Sequence, residues 1–230
     1  MLDILNQYWP MLLVGQYPNG PLGGLALTLL LAFLGLVLSF PLALLIAIAR
    51  VSPYRWIAIG SRLFVNTVRG MPLLMLIFWA YFAVPKLTGE SISGFWTLVC
   101  ALVIYESAYL SEVVRSGIEA IPKGQIEASR SLGVGYWTTM RRVILPQALF
   151  NVLPSMTSQF VSTIKETSLG YVISVNELTF AANQINNMVL TQPLQVFGIL
   201  AIIYFLVCFS LSRSVAWLEG WVRRSRSMPA

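Results

Sequence analysis

Residues Ile121 to Gln147 read IPKGQIEASRSLGVGYWTTMRRVILPQ, the longest polar interruption in an otherwise apolar chain. The stretch carries Lys123, Glu127, Arg130, Arg141 and Arg142. Such a block cannot sit in hydrocarbon, so it is expected on one side of a membrane as a folded loop between apolar spans. Gln125 to Leu132 has helix-forming composition. On one helical face Glu127 can pair with Arg130 or Ser131. Gly133 and Gly135 permit a sharp change of direction. Tyr136 to Ile144 reads as a second short helix, and Pro146 marks the next boundary.

Composition sets the frame around this loop. Of 230 residues, 57% are hydrophobic and only 10% charged, where a soluble domain carries about 25% charged residues. An all-α, multi-pass membrane protein follows, with residues 1–230 as one integral domain. The net charge of +6 is a matter of where Lys and Arg fall relative to the spans, not a nucleic-acid signature. The chain has no histidine, which removes His-based acid–base chemistry and His metal sites. Cys100 and Cys208 lie in separate apolar runs and read as small core residues, with no disulfide implied. No basic region precedes the first apolar run, so a cleaved signal peptide is not expected. No Gly-x4-Gly-Lys-Ser/Thr run occurs, so any nucleotide chemistry belongs to another chain.

Five spans are expected, at approximately 22–49, 63–85, 92–114, 147–170 and 194–216, with the polar loop at 122–146. Residues 1–20 read as an interfacial segment with Trp9 and Tyr17 near the headgroups. The second span is interrupted by Arg69-Gly70-Met71-Pro72, a charge, a glycine and a proline together. Irregular backbone of this kind is tolerated only against protein or a water-filled cavity. Beyond Glu106 in the third span, Glu112, Arg115 and Glu119 form a charge ladder as the helix leaves the membrane. The fourth span is unusually polar, with Asn151, Ser155, Thr157, Ser158, Gln159, Ser162 and Thr163, so it faces other helices or a hydrated path. Asn176 to Pro193 reads as a polar loop. Arg50, Arg55, Arg62, Arg115, Lys123, Arg130, Arg141, Arg142, Arg213, Arg223, Arg224 and Arg226 collect on one face, and Lys86 alone on the other. That asymmetry puts the N-terminus outside, and the polar loop and C-terminus in the cytoplasm.

The polar loop resembles the cytoplasmic signature of bacterial ABC-importer permeases: Glu-Ala-Ala, three residues, Gly, nine residues, Ile-x-Leu-Pro. Here it runs Glu127-Ala128-Ser129, Gly133, then Val143-Ile144-Leu145-Pro146, with Ser129 for the second Ala and Val143 for Ile. Arg69-Gly70-Met71-Pro72-Leu73-Leu74 is similar to the Arg-Gly-Thr-Pro-Leu-Leu motif of the polar amino acid importers. Tyr105 to Tyr109 with Glu112 and Arg115, Gly117 to Gln125, and Lys165-Glu166-Thr167-Ser168-Leu169 match the same family. Overall likeness, from Leu25 to Trp217, is to the subset that includes glutamate/aspartate permeases. The resemblance implies a bacterial inner-membrane protein in which the loop forms a coupling helix seated in a cleft of an ATPase subunit. It also implies a second permease subunit, identical or homologous, a pair of ATPase subunits that bind ATP and magnesium, and a periplasmic amino-acid-binding protein. No cofactor is implied on this chain.

Candidate residues follow from charge in the membrane, which is costly and needs a partner or a hydrated site. The planar fork of Arg69 suits a substrate α-carboxylate. The structural alternatives are an ion pair with Glu106 or Glu166, or snorkelling to the interface. Glu166 can hold a substrate ammonium, and its neighbour Lys165 can fix the end of the fourth span, unless both are solvated at the outer mouth. Glu106 and Ser107 sit in the third span, where a buried pair with Arg69 competes with substrate contact. Gln159, Ser162 and Thr163 can line the path, although such residues also pack helices. Glu127, Ala128, Ser129, Gly133, Leu145 and Pro146 are the coupling candidates. An ion-gradient-driven transporter or channel would also explain charges in the spans, but it leaves the signature loop unexplained. A membrane enzyme lacks any catalytic constellation.

Overall fold

The computed structural model describes residues 1–90 and 92–226, with side chains as far as residue 217. Among these residues the chain is helical, without strands. Three helical segments are long and apolar enough to cross a membrane: α2 (Gly24–Arg50), α6 (Gly94–Glu119), and Pro193–Trp217 within α11 (Pro193–Arg226). A fourth crossing exists if α3 (Arg55–Arg69) and the segment Leu73–Thr88, which are bent 99° apart, form one span. That segment contains α4 (Leu73–Phe78), a π turn (Trp79–Ala83) and α5 (Val84–Thr88). The interruption expected at Arg69–Pro72 is present, but a straight span over 63–85 is not. Pro72 excludes the helical region for Met71, so α3 stops at Arg69 and α4 starts in a new direction.

α6 is the axis of the bundle. Its buried residues include Leu98, Leu102, Glu106, Ala108, Leu110, Ser111 and Val114, which surround the helix, as befits a segment covered on all sides. α2 lies along it and presents a stripe of small residues, Thr28, Ala32, Gly35, Ser39, Ala43 and Ala47. Small residues let the two backbones approach without a hydrophobic drive from lipid. At Gly35 an added Cβ would lie 3.3 Å from Leu102 Cβ. α6 crosses α9 (Leu145–Glu166) still more closely, since a Cβ on Gly117 would lie 2.5 Å from Val152 Cγ1.

The polar block holds α7 (Lys123–Ser131), then α8 (Tyr136–Thr139), a π turn (Met140–Ile144) and α9. The expected second short helix is therefore not separate. The backbone stays helical from residue 136 to residue 166. Pro146 does not end it, because the α ladder restarts at Leu145 and places the proline in the first turn, where no N–H is needed. The wider π turn absorbs the mismatch. After α9 the chain tightens into a 3₁₀ segment, Thr167–Ile173.

Asn176 to Pro193 is not a loop. α10 (Leu178–Val189) occupies most of it and buries Leu178, Ala181, Ala182 and Ile185. It packs with α1 (Leu2–Val14) and the start of α11 through Ile4, Leu12, Val196 and Ile199. Trp9 and Tyr17 are exposed. Cys100 is exposed rather than in the core, and Cys208 is half-buried. Both are free thiols.

The corner joining α1, α2 and α10 is held by backbone. Gly24, at φ 57°, donates to Asn176 O at 2.9 Å, and a Cβ there would lie 2.4 Å from Leu12 O. Glu177 is fully buried and accepts from the N–H groups of Thr179 (2.8 Å) and Phe180 (2.9 Å) and from Tyr204 OH (3.2 Å). It caps α10 and satisfies its orphan donors. Burial nevertheless pushes its carboxyl up to about 7, against the downward pull of those hydrogen bonds. The folded form thus takes up a proton that the unfolded chain releases at ordinary carboxylate pH. Its stabilisation is complete below that ordinary value and is lost as pH rises through about 7. The apparent Tm of the purified protein is expected to fall between pH 5 and pH 8, by the equivalent of about 3 kcal/mol. Glu177→Gln should flatten that slope. An unchanged slope in the variant assigns the pH dependence elsewhere.

Candidate functional site

The expected site residues fall into three places. The first is the α6–α9 crossing. Glu106 is fully buried, and its Oε1 accepts from Thr163 Oγ1 at 2.6 Å. Gln159 and Glu166 are its other hydrogen-bonding neighbours. Gln159, Thr163 and Glu166 recur at helical spacing, so one face of α9 brings all three to Glu106. Glu106 Oε2 and Glu166 Oε2 are both buried without a donor. Ser107 is buried too, but its hydroxyl donates to Ile104 O at 2.8 Å on its own helix and presents nothing outward. The adjacent face of α9 carries Asn151, Ser155, Ser158, Ser162 and Lys165, all exposed or half-exposed.

The second place is a charge cluster where α2, α3 and α6 converge. Glu112 accepts from Arg50 at the end of α2 and from Arg115 on its own helix, and Arg115 also pairs with Glu119. Arg69 Nη1 stands 3.8 Å from Glu112 Oε2, and its guanidinium lies 5.1 Å from the centroid of the Tyr109 ring. A cation over an aromatic face is attracted by the ring quadrupole. Tyr109 in turn accepts from Tyr105 OH at 3.1 Å. Arg69 therefore pairs with neither Glu106 nor Glu166. The end of α3 meets α6 one to two turns further along, at Tyr109 and Glu112. Sequence reasoning placed Glu112 and Arg115 in a ladder but missed Arg50, which lies in a loop by composition and here closes the last turn of α2.

The third place is the polar loop. Glu127, Ala128, Leu132 and Gly133 are exposed, whereas Ser129 is buried and its hydroxyl donates to Gln125 O at 3.0 Å. Glu127 makes no ion pair with Arg130 among the described residues; Ser131 Oγ donates to its backbone carbonyl at 3.0 Å instead. Gly133 ends the helix at φ 73° with its N–H on Arg130 O at 2.9 Å. The loop is anchored to the body by Tyr136 OH, which donates to Val51 O at 3.0 Å, and by reciprocal Gln125–Gln147 amide contacts at 3.1 and 3.3 Å. Burial raises the Tyr136 hydroxyl above its ordinary value, so it stays a donor. Leu145 is half-buried and Pro146 exposed where the loop enters α9. No cluster of three metal-ligating side chains occurs among the described residues.

Residues 39–224 match the family described as binding-protein-dependent transport system inner membrane component. The probable glutamine ABC transporter permease protein GlnP of Bacillus subtilis is 38% identical over 198 residues, covering 85% of this chain and 90% of that protein. The arginine transport system permease protein ArtQ of the same organism is 32% identical, covering 84% and 90%. The glutamate/aspartate import permease protein GltK of Escherichia coli O157:H7 is 31% identical, covering 86% and 91%. Among solved structures, an amino acid ABC transporter crystallised with histidines superposes with a TM-score of 0.82 at 32% identity, over 94% of this chain and 95% of that one. A methionine ABC transporter, MetNI, shares the fold at a TM-score of 0.64 and 22% identity, over 94% and 96%. With its signature loop and helical membrane bundle, this chain belongs to the binding-protein-dependent inner-membrane transport components, as a permease of the polar amino acid ABC-importer type.

Proposed function

We propose that the chain is one of two permease subunits, identical or homologous, of an ATP-driven importer that receives a polar amino acid from a periplasmic binding protein. In this reading α2, the bent α3–α5 unit, α6, α9 and α11 are five crossings. The N-terminus is periplasmic, and α7 docks in the cytoplasm on an ATPase subunit that holds ATP and magnesium. Closure of the ATPase pair pushes on the two loops and opens the permease pair outward. Differential affinity for substrate in the two states gives direction.

The observation that carries this reading is the polar face of α9. Asn151, Ser155, Ser158 and Lys165 stand exposed and Ser162 half-exposed along one face of this helix. In a bilayer such a face is tolerated only against another helix or a water-filled path, and a second permease supplies both. The uncovered Glu127–Ala128–Gly133 edge of the loop gives the motor its handle. Arg69 and Glu166 remain the proposed contacts for the substrate carboxylate and ammonium, with Gln159, Ser162 and Thr163 along the path. The resemblance leans towards glutamate or aspartate as the cargo. Named relatives for glutamine, arginine and glutamate/aspartate match comparably, so the charges in the path must decide.

The test combines two measurements on proteoliposomes. Uptake of labelled amino acid should require ATP inside, the ATPase subunit and the binding protein. With Cys100 and Cys208 replaced by serine, Ser158→Cys should give an oxidative cross-link between two permeases. Uptake by the purified chain alone, driven by an ion gradient, would replace this proposal with that of a secondary transporter.

A further inference from the structure

Helix α3 carries three faces, and together they fix how it lies. Val65 and Val68 are buried against Ala108 and Tyr105 of α6 and Ile46 of α2. Arg55, Arg62 and Arg69 recur at intervals of about two helical turns, so they share a second face. The third face is apolar and exposed: Trp56, at 85%, with Ile57, Ile59, Leu63 and Phe64. A helix basic along one side, with aromatic and aliphatic residues along another, suits the surface of a membrane rather than its interior.

The contacts give its direction and depth. Leu73, Ile77 and Tyr81 pack into one cluster with Leu98, Leu102 and Phe95, so the segment after the break follows the first half of α6. α3 is turned 99° from that segment and therefore lies across α6, not along it. Its last residue reaches Tyr109 and Glu112, the level at which Arg50 closes α2. Leu73–Thr88 rises only about 24 Å at helical pitch, against about 30 Å of hydrocarbon. The shortfall of about 6 Å matches the depth to which a surface helix sinks its apolar side.

The basic face has no counter-charge of its own. No Asp or Glu occurs between Asp3 and Glu90. Glu112 is taken by Arg50 and Arg115 and approached by Arg69. Arg55 and Arg62 are exposed and form no ion pair among the described residues. Arg62 adds its field to that of Arg50, which makes this corner more positive still.

We infer that α3 lies flat in the inner leaflet, its apolar side among acyl chains and Arg55 and Arg62 on the phosphates of anionic lipid headgroups. The inner side follows from the orientation proposed above. The guanidinium fork suits a phosphate, and each arginine near an anionic surface is attracted to it. The second crossing is then made by Leu73–Thr88 alone, entered from a helix already sunk in the interface.

The test uses the permease–ATPase complex in vesicles, with Cys100 and Cys208 replaced by serine. Spin labels are placed singly at Trp56→Cys, Ile57→Cys, Leu63→Cys and Phe64→Cys, and depth is read from collisions with oxygen and with a water-soluble nickel chelate. Trp56 and Leu63, and Ile57 and Phe64, are pairs seven residues apart on one face. Each pair should share its depth to within about 3 Å, whereas an upright helix separates the two by about 10 Å. The headgroup contact is read at Ile59→Cys, one turn from both Arg55 and Arg62, with a fluorophore in phosphatidylcholine vesicles. A trace of phosphatidylglycerol brominated on its acyl chains should quench it at least about threefold more than the same trace of brominated phosphatidylcholine. In Arg55→Gln/Arg62→Gln that ratio should fall to about one. Both arginines are exposed, so the double variant keeps its fold. Depths about 10 Å apart, equal quenching in the wild type, a ratio unmoved in the variant, or labels that neither collider reaches, which would put another protein chain against α3, each overturn the inference. Neither measurement involves cargo or nucleotide, so the permease reading fails separately, on absence of ATP-dependent uptake by the complete transporter.

Discussion

Glu112→Ala is expected to destabilise the protein by about 3–5 kcal/mol, because it leaves the largely buried Arg50 without its carboxylate and Arg115 with Glu119 alone. Arg50 and Arg115 keep only 11% and 24% of their side-chain surface exposed, and both point their guanidinium groups at the one carboxylate of Glu112. Arg69 adds a third positive charge at 3.8 Å. The carboxylate joins three helices: α2 through its last residue, α3 through its last residue, and α6 through its own backbone. Arg50 and Arg69 also sit where the helix dipoles favour cations, so each helix end is completed by a charge that only Glu112 balances. Without it, like charges face one another at the meeting of three helices.

The cause can be separated from simple loss of contacts. Replacing Arg50 and Glu112 together by methionine should cost less than Glu112→Ala alone, since apolar side chains of similar length leave nothing unpaired. The check is the midpoint of thermal unfolding in detergent. For a chain of this length the single change should lower it by about 10 °C, from roughly 2–4 °C per kcal/mol. A drop of about 2 °C or less would mean that water reaches the cluster and screens it.

Which parts of this architecture could be read in advance follows from the range of the signal. The break at Gly70–Pro72 and the turn at Gly133 are local backbone events written in glycine and proline, and both stand where the sequence puts them. The charge-free run of α2 and the polarity of α9 are equally local. α10 was missed because its Asn and Gln residues dominate the composition of 176–193, while its apolar spacing, Leu178, Ala182, Ile185, Val189, is only four residues deep. Its capping residue, Glu177, belongs to a pattern that the polar surroundings hide. The partner of Arg69 was not legible either. Glu106, Glu112 and Glu166 all offer a carboxylate, and the choice depends on the height at which α3 meets α6. The approach of Glu106 to Glu166 joins like charges from two distant helices, and sequence rules seek opposite charges. The sequence thus marked the polar residues that matter but not the pairs they form.

The second large effect belongs to Gly133, where a valine should uncouple ATP hydrolysis from uptake. Two properties of this glycine point in different directions, and substitutions separate them. Its φ of 73° is a left-handed conformation. An ordinary L residue there costs about 1–2 kcal/mol, and a β-branched one more. Yet nothing lies within 4 Å of where a Cβ would stand. Within this chain the position is open, so any steric penalty for added atoms comes from a docked partner. Gly133→Asn keeps the left-handed backbone, which asparagine tolerates, and adds bulk outward. Gly133→Val changes both. If α7 is the handle gripped by the ATPase, both variants should retain the thermal stability of the isolated permease to within about 2 kcal/mol. Both should also lose about tenfold or more of the ATPase stimulation caused by substrate-loaded binding protein, as expected when an interface contact worth over 1.4 kcal/mol is lost. Gly133→Ala, small and only mildly strained, should fall between them and wild type. Full stimulation in Gly133→Asn together with a loss in Gly133→Val would trace the defect to the turn itself and leave the exposed edge of Glu127, Ala128 and Gly133 without a partner. Full stimulation in both would remove α7 from the coupling path.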